Sequence, residues 1–230
     1  KEGMARALEY KAAASTQAGL LRGNTTLGLR AAHSDWYPVM KEIVARYRPD
    51  GLLLDYMRFN NRPMRLDPHS VTLLEKRFRV KYSKLAPAQV QEFKEASLTR
   101  LMGRISRDVR RIKPGLPLAI YSWGPHVVSG HRVAQDWETW ASRGYIDMDN
   151  ISGYCYRKNY GEQFLKVFHN RLAGAVAISE QLDAPVEITF ALGVRTSHGS
   201  IVEAREVADY LRAARRVRVT CLLYTSDAAD

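Results

Sequence analysis

Apolar positions along this chain switch repeatedly between helical and strand-like spacing. In "HSDWYPVMKEIVARYRPDG", Ser34 and Asp35 mark a helix start, Val39, Met40, Ile43 and Val44 lie on one face, and Pro49 is a stop. The run "GLLLDY" follows at once and predicts a short buried strand. Helices are then expected over "VTLLEKRFRVKY" and over "PAQVQEFKEASLTRLMGRISRDVRRIK", where Phe93, Leu98, Leu101, Ile105, Val109 and Ile112 recur at helical spacing. "PGLPLAIYSWG" reads as a strand, "RVAQDWETWASRG" as a short helix and "YIDMDNISGYCY" as a strand. "FLKVFHNRLAGAVAISEQL" and "IVEAREVADYLRAARR" read as helices on either side of the strand "PVEITFALG", and "VRVTCLLY" as a final strand. Ahead of all this, the Ala-rich "MARALEYKAAASTQAGLL" predicts a helix fading into the loop "RGNTTLGLR".

Strands alternating with helices imply a parallel sheet with crossover helices, an α/β fold. Five such strands fit either a doubly wound sheet or more than half of an eight-stranded barrel. No Gly-rich phosphate loop follows any strand, so nothing favours the nucleotide-binding sheet. Polar or aromatic groups instead recur at strand C-terminal ends: Asp55 and Arg58, Ser122 and Trp123, Tyr154 and Tyr156. In a barrel that end is the active-site face.

Composition narrows the function classes. With 230 residues and 46% hydrophobic content the chain can bury a core. A net charge of +11 raises nucleic acid as a partner, but the arginines are scattered along helical stretches and no nucleic-acid signature is present. They read as solvated helix faces, and no nucleic-acid partner is expected. Cys155 and Cys221 fit no metal-ligand spacing, and no run of 18 apolar residues suggests a membrane span. His126, His131 and His198 lie in loops without paired-ligand spacing, and "GxSxG" is absent, so neither metal, cofactor nor serine nucleophile is expected. The chain opens on Lys1 without a signal-peptide pattern, as a piece of a longer protein would.

The order "DGLLLDYMRF", "LDPHSVTLLEKRF", a basic helix closing on "IKPGLPLAI", then "QDWETWASRGYIDMDNISGY" resembles the glycosyl hydrolase-like, family-10-like family of bacterial envelope and secreted proteins. That family carries a strand of the form DGIHLDYIRYP, a segment like FSP, a helix ending in IKP, a QDW helix and a strand ending in Tyr. Residues 34–154 follow this order, with weaker similarity through "FALGV". Leu53 stands where the family has His, its Pro after the RY pair is absent, and Ile151 and Ser152 replace a Pro-Met pair. Asp55, Tyr56, Arg58, Asp136, Trp137 and Tyr154 are retained.

The resemblance implies a partial (β/α)8 TIM-like barrel over 34–220 lacking its first strands, after an N-terminal helical and loop segment over 1–33. The tail "LLYTSDAAD" resembles translated sequencing-adapter read-through, so 221–230 is expected to be non-native. A glycosidase on a polysaccharide such as a bacterial envelope glycan is implied, located in the periplasm, envelope or extracellular space. The alternative is a noncatalytic glycan-binding barrel.

Glycosidic cleavage needs a group to protonate the leaving oxygen and usually a second carboxylate. Asp55, closing a buried strand at the open face, is the first candidate and is expected to be rigid and partly desolvated. Its alternative is a salt bridge to Arg58 or a turn cap. Arg58 suits bidentate contacts to substrate, or is a surface loop arginine. Asp136 is the candidate second carboxylate, with an N-cap role at least as well supported. Asp149, Glu187 and Asp147 are weaker choices. Tyr56, Trp123, Trp137, Tyr154 and Tyr156, together with Tyr121, are the aromatics expected to stack on sugar rings, although each taken singly fits a core role better.

Overall fold

A computed structural model describes residues 30–59, 61, 66, 68–219 and 222–226. The expected Ala-rich helix and Cys221 lie outside these residues. The first helix, α1 (Arg30–Tyr47), begins ahead of the expected Ser34 start and holds Pro38 inside it. Tyr37, Met40 and Val44 form its buried stripe, and Ile43, expected on that stripe, falls at its margin and is 37% exposed. Strand β1 (Leu52–Leu54) follows, then α2 (Pro68–Phe78), a 3-10 turn at Tyr82–Lys84 and the long α3 (Pro87–Ile112). Next come β2 (Leu118–Ser122), the short α4 (Val127–Gly130), α5 (Trp137–Ser142) and β3 (Met148–Ser152). The chain continues through α6 (Arg157–Tyr160), a 3-10 turn at Gly161–Gln163, α7 (Phe164–Glu180), β4 (Glu187–Thr196), β5 (Gly199–Ser200), α8 (Ala204–Arg216) and β6 (Leu222–Ser226).

Strands β1, β2, β3, β4 and β6 are parallel neighbours in that order, and β5 returns antiparallel on the end of β4. Helices connect the parallel strands, which is the arrangement of a (β/α)8 TIM-like barrel in part: five of its parallel strands are present among the described residues. Strand β6, which overlaps the strand expected over "VRVTCLLY", is in register with β4 from Phe190↔Leu222 onward.

Register sorts the side chains to two faces, because successive residues of a strand point to opposite sides. One row runs Leu54, Ile120, Asp149, Ile188, and with Ile151 and Phe190 it meets the helices. From α3, Leu98, Leu101, Met102, Ile105 and Val109 close that core, as the helical spacing predicts. The opposite face carries Leu53, Ala119, Tyr121, Asn150 and Thr189, with Asn150 Nδ2 donating to Thr189 Oγ1 at 2.6 Å. The expected burial of "GLLLDY" holds for Leu54 only. Leu53 is 42% exposed, and β1 pairs with β2 alone among the described strands.

Candidate functional site

The C-terminal ends of β1, β2 and β3 bring Asp55, Arg58, Tyr121, Trp123 and Tyr154 to one edge of the sheet. Directly after β1 the backbone turns sharply. Tyr56 adopts a left-handed conformation with φ 57°, its N–H donates to Asp55 Oδ1 at 2.6 Å, and Arg58 N–H donates back to Tyr56 O at 2.6 Å. For a non-glycine residue this conformation costs on the order of 1 to 2 kcal/mol. The turn fixes the Asp55 carboxylate against its own backbone and folds Arg58 back over the sheet end. Asp55 is exposed rather than partly desolvated, at the end of a strand that pairs with β2 alone among the described strands.

The Arg58 guanidinium lies 4.5 Å from the Tyr56 ring centroid and 4.7 Å from that of Trp123. Each such cation–aromatic contact contributes about 0.5 to 2 kcal/mol, the more so when desolvated. Burial lowers the Arg58 pKa, while Tyr56, Asp55 and Tyr121 act in the opposite direction. An arginine so placed remains cationic at neutral pH. Burial also raises the Tyr121 phenol well above its ordinary value, with Tyr154 and the Asp55 charge adding to the rise and a side-chain hydrogen bond with Ser152 opposing it. Tyr121 is therefore a neutral hydrogen-bonding group beside a carboxylate.

Aromatic residues fall into two sets. Tyr56 is 63% exposed, and Trp123 and Tyr154 are half-buried, so all three offer ring surface. Trp137 and Tyr156 are each 1% exposed and have no free ring face for a sugar. Trp137 donates from Nε1 to Gly124 O at 3.0 Å, bracing the loop after β2, and Tyr156 shares a 2.9 Å hydrogen bond with Thr196 under the β4–β5 hairpin. Tyr154 bridges the sets, at 6.1 Å from Tyr121 and 6.1 Å from Tyr156 between ring centroids.

Asp136 is the N-cap of α5, accepting from Thr139 N–H at 3.2 Å. Its charge bears on Glu95 of α3, and that of Asp55 bears on Arg58 and Tyr121. Ser122 and Asp149, both near strand ends in sequence, turn to the helix side, where Ser122 Oγ donates to Asp149 Oδ2 at 2.9 Å. Asp149 is fully buried, and burial pushes its carboxyl well above the ordinary range. Glu187 opens β4 at the opposite end of the sheet. Asp147 pairs with Arg110 at 2.8 Å and also accepts from Leu118 N–H.

Gln135 gave no signal in the sequence. Fully buried, it donates from Nε2 to Tyr121 O at 2.8 Å and accepts from Trp123 N–H at 3.2 Å, so it holds the segment around Trp123 in place. Nothing local in "VAQDW" distinguishes this glutamine from a surface one. Two clefts have linings that do not include Asp55. One, of about 620 Å³, is lined by Arg157, Arg195, Ser200 and Glu206, and the other, of about 850 Å³, by Tyr82, Gln91, Lys94 and Arg132. Among the described residues no three His, Cys, Asp or Glu side chains converge to form a metal-binding group, and no helix is long and apolar enough to cross a membrane.

No family model and no curated protein matches the sequence. Solved structures do match. Bee venom hyaluronidase in complex with a hyaluronic acid tetramer superposes with a TM-score of 0.58 at 10% identity, covering 85% of this chain and 68% of that one. A monoclinic structure of bee venom hyaluronidase gives 0.58 at 9% identity, covering 85% and 70%. At such identity the likeness is one of fold, and the chain has the partial-barrel fold shared with these glycosidases.

Proposed function

We propose that this chain is the barrel of a glycoside hydrolase acting on a polysaccharide, in keeping with its resemblance to family-10-like envelope and secreted proteins. The observation that carries the reading is the cluster at the ends of β1 and β2. A tethered but solvent-accessible carboxylate, Asp55, stands next to a stacked guanidinium, a neutral phenol and exposed aromatic faces. A sugar ring needs this combination, an apolar face to stack on and polar groups at its rim.

In this reading Asp55 is the principal catalytic carboxylate, serving as base or nucleophile. Arg58 holds positive charge against it and orients substrate oxygens. Tyr121 supplies a neutral hydrogen bond, Tyr154 positions substrate, and Tyr56 with Trp123 stacks on the sugar. Trp137, Tyr156 and Asp136 act behind this surface by fixing its loops. The substrate is an envelope or extracellular glycan.

Asp55→Asn in the full-length protein is expected to lower glycan turnover by about 10²- to 10⁴-fold, the range for a lost acid or base group, with the thermal midpoint unchanged because the side chain is exposed. Undiminished turnover would overturn the assignment. A noncatalytic glycan-binding barrel is the second reading, favoured by the capping role of Asp136 and the burial of Asp149. It predicts glycan binding without turnover in either protein.

A further inference from the structure

Lys94 sits on α3 with only 7% of its surface exposed, its Nζ 5.3 Å from the Phe59 ring centroid. Burying an ammonium is costly unless a counter-charge accompanies it. Among the described residues no carboxylate supplies one. Glu92 is bonded to Arg77, and Glu95 accepts from Gln91 Nε2 at 2.8 Å. The charged group that bears on Lys94 is another cation, Arg132, which is exposed and makes no ion pair among the described residues. Desolvation and that neighbour together lower the Lys94 pKa.

Both cations line the cleft of about 850 Å³, together with Asn61, Tyr82, Gln91 and His131. Pro87 and Ala88, the first turn of the 26-residue α3, line it too, so the positive end of a long helix adds to the field. This cleft adjoins the candidate catalytic edge. The His131 ring stands edge-on to Trp123 at 5.0 Å, and Trp123 carries Arg58 on its face.

We propose that this cleft is a subsite for the anionic group, carboxylate or sulfate, of an acidic glycan, with Lys94 and Arg132 as its ligands. The inference rests on the glycan reading above and deepens it: a polysaccharide lying across Asp55 and Trp123 would place an acidic sugar against α3. An anion there relieves the repulsion between the two cations and supplies the counter-charge that no described residue provides. His131, whose pKa is lowered by partial desolvation and by the Arg171 charge, lines the same cleft.

Calorimetric titration of the intact protein tests this with three tetrasaccharides: an oligogalacturonate, its carboxyl-reduced counterpart, and a sulfated form of that neutral chain. The wild type is expected to bind at least one acidic form about tenfold or more tightly than the reduced one, with the preference shrinking as salt is raised. Lys94→Met and Arg132→Gln should each weaken acidic binding about tenfold and leave the reduced oligosaccharide unaffected. Lys94→Met should not lower the thermal midpoint, since it removes an unpaired buried charge, and Arg132→Gln alters an exposed side chain. Acidic binding unchanged in both variants, or equal wild-type affinity for acidic and reduced chains, would overturn the subsite and leave the Asp55 assignment standing. Loss of turnover alone in Asp55→Asn, with acidic binding retained, supports both.

Discussion

Asp55 follows β1 and Asp149 lies early in β3 of the same sheet, yet their surroundings are opposite. Asp55 leaves β1 on its open side, whereas Asp149 points into the helix layer with Ser122 as its hydrogen-bond donor. Because burial holds the Asp149 proton more tightly in the folded state, the unfolded chain releases it first. Stability contributed at this site therefore declines as pH rises from the ordinary value of 3.8 through the raised folded value. Asp149→Asn, which mimics the neutral acid, should flatten that slope and be at least as stable as the wild type at pH 7. Urea melts of both proteins between pH 4 and pH 8 measure this, and a variant markedly less stable at pH 7 would show that Asp149 works as a charged group. Asp55 was legible in the sequence because an apolar run ended in an acid. The fate of Asp149 was not, since its side depends on strand register and not on local composition.

At the level of elements, the helices and strands follow from periodicity, and their contacts at the ends do not. Trp137 and Tyr156 fall near strand ends in chain order, yet the loops fold inward and put both rings in the core. Lys94 reads as one polar residue on an amphipathic helix. In the fold its Nζ lies 5.3 Å from the ring centroid of Phe59, which is far away in sequence. The passage out of β3 shows how close the fit between elements is. Gly153 N–H donates to Ala191 O at 2.8 Å, and a Cβ on Gly153 would stand 2.5 Å from that same backbone oxygen and 3.3 Å from Phe168. Neither β4 nor the core ring can yield cheaply, so Gly153→Ala is expected to destabilise the protein by about 1 to 3 kcal/mol, the cost of overpacking. A urea midpoint equal to that of the wild type would show that β3 and β4 can separate at this point.

Across the whole molecule, alternating strands and helices were sufficient to point to a parallel sheet, and the hyaluronidase structures show the same fold at 10% identity or less. The net charge of +11 was visible from the start, but where it matters was not. Many arginines pair with a carboxylate, such as Arg46 with Glu42, Arg110 with Asp147 and Arg157 with Glu206, whereas Lys94 and Arg132 line one cleft with no ion pair among the described residues. Tryptophans are also unequally distributed, with Trp137 and Trp140 sealed in the core and Trp123 half-buried beneath Arg58. Any ligand that displaces the guanidinium or covers the ring changes the polarity around the Trp123 indole and leaves Trp137 and Trp140, two of the chain's other three tryptophans, as they were. The stacked pair is thus a built-in optical reporter. Glycan binding should shift the emission of the wild-type protein, and Trp123→Phe should abolish the shift; a shift that survives the substitution would mean that ligand binds away from the ends of β1 and β2.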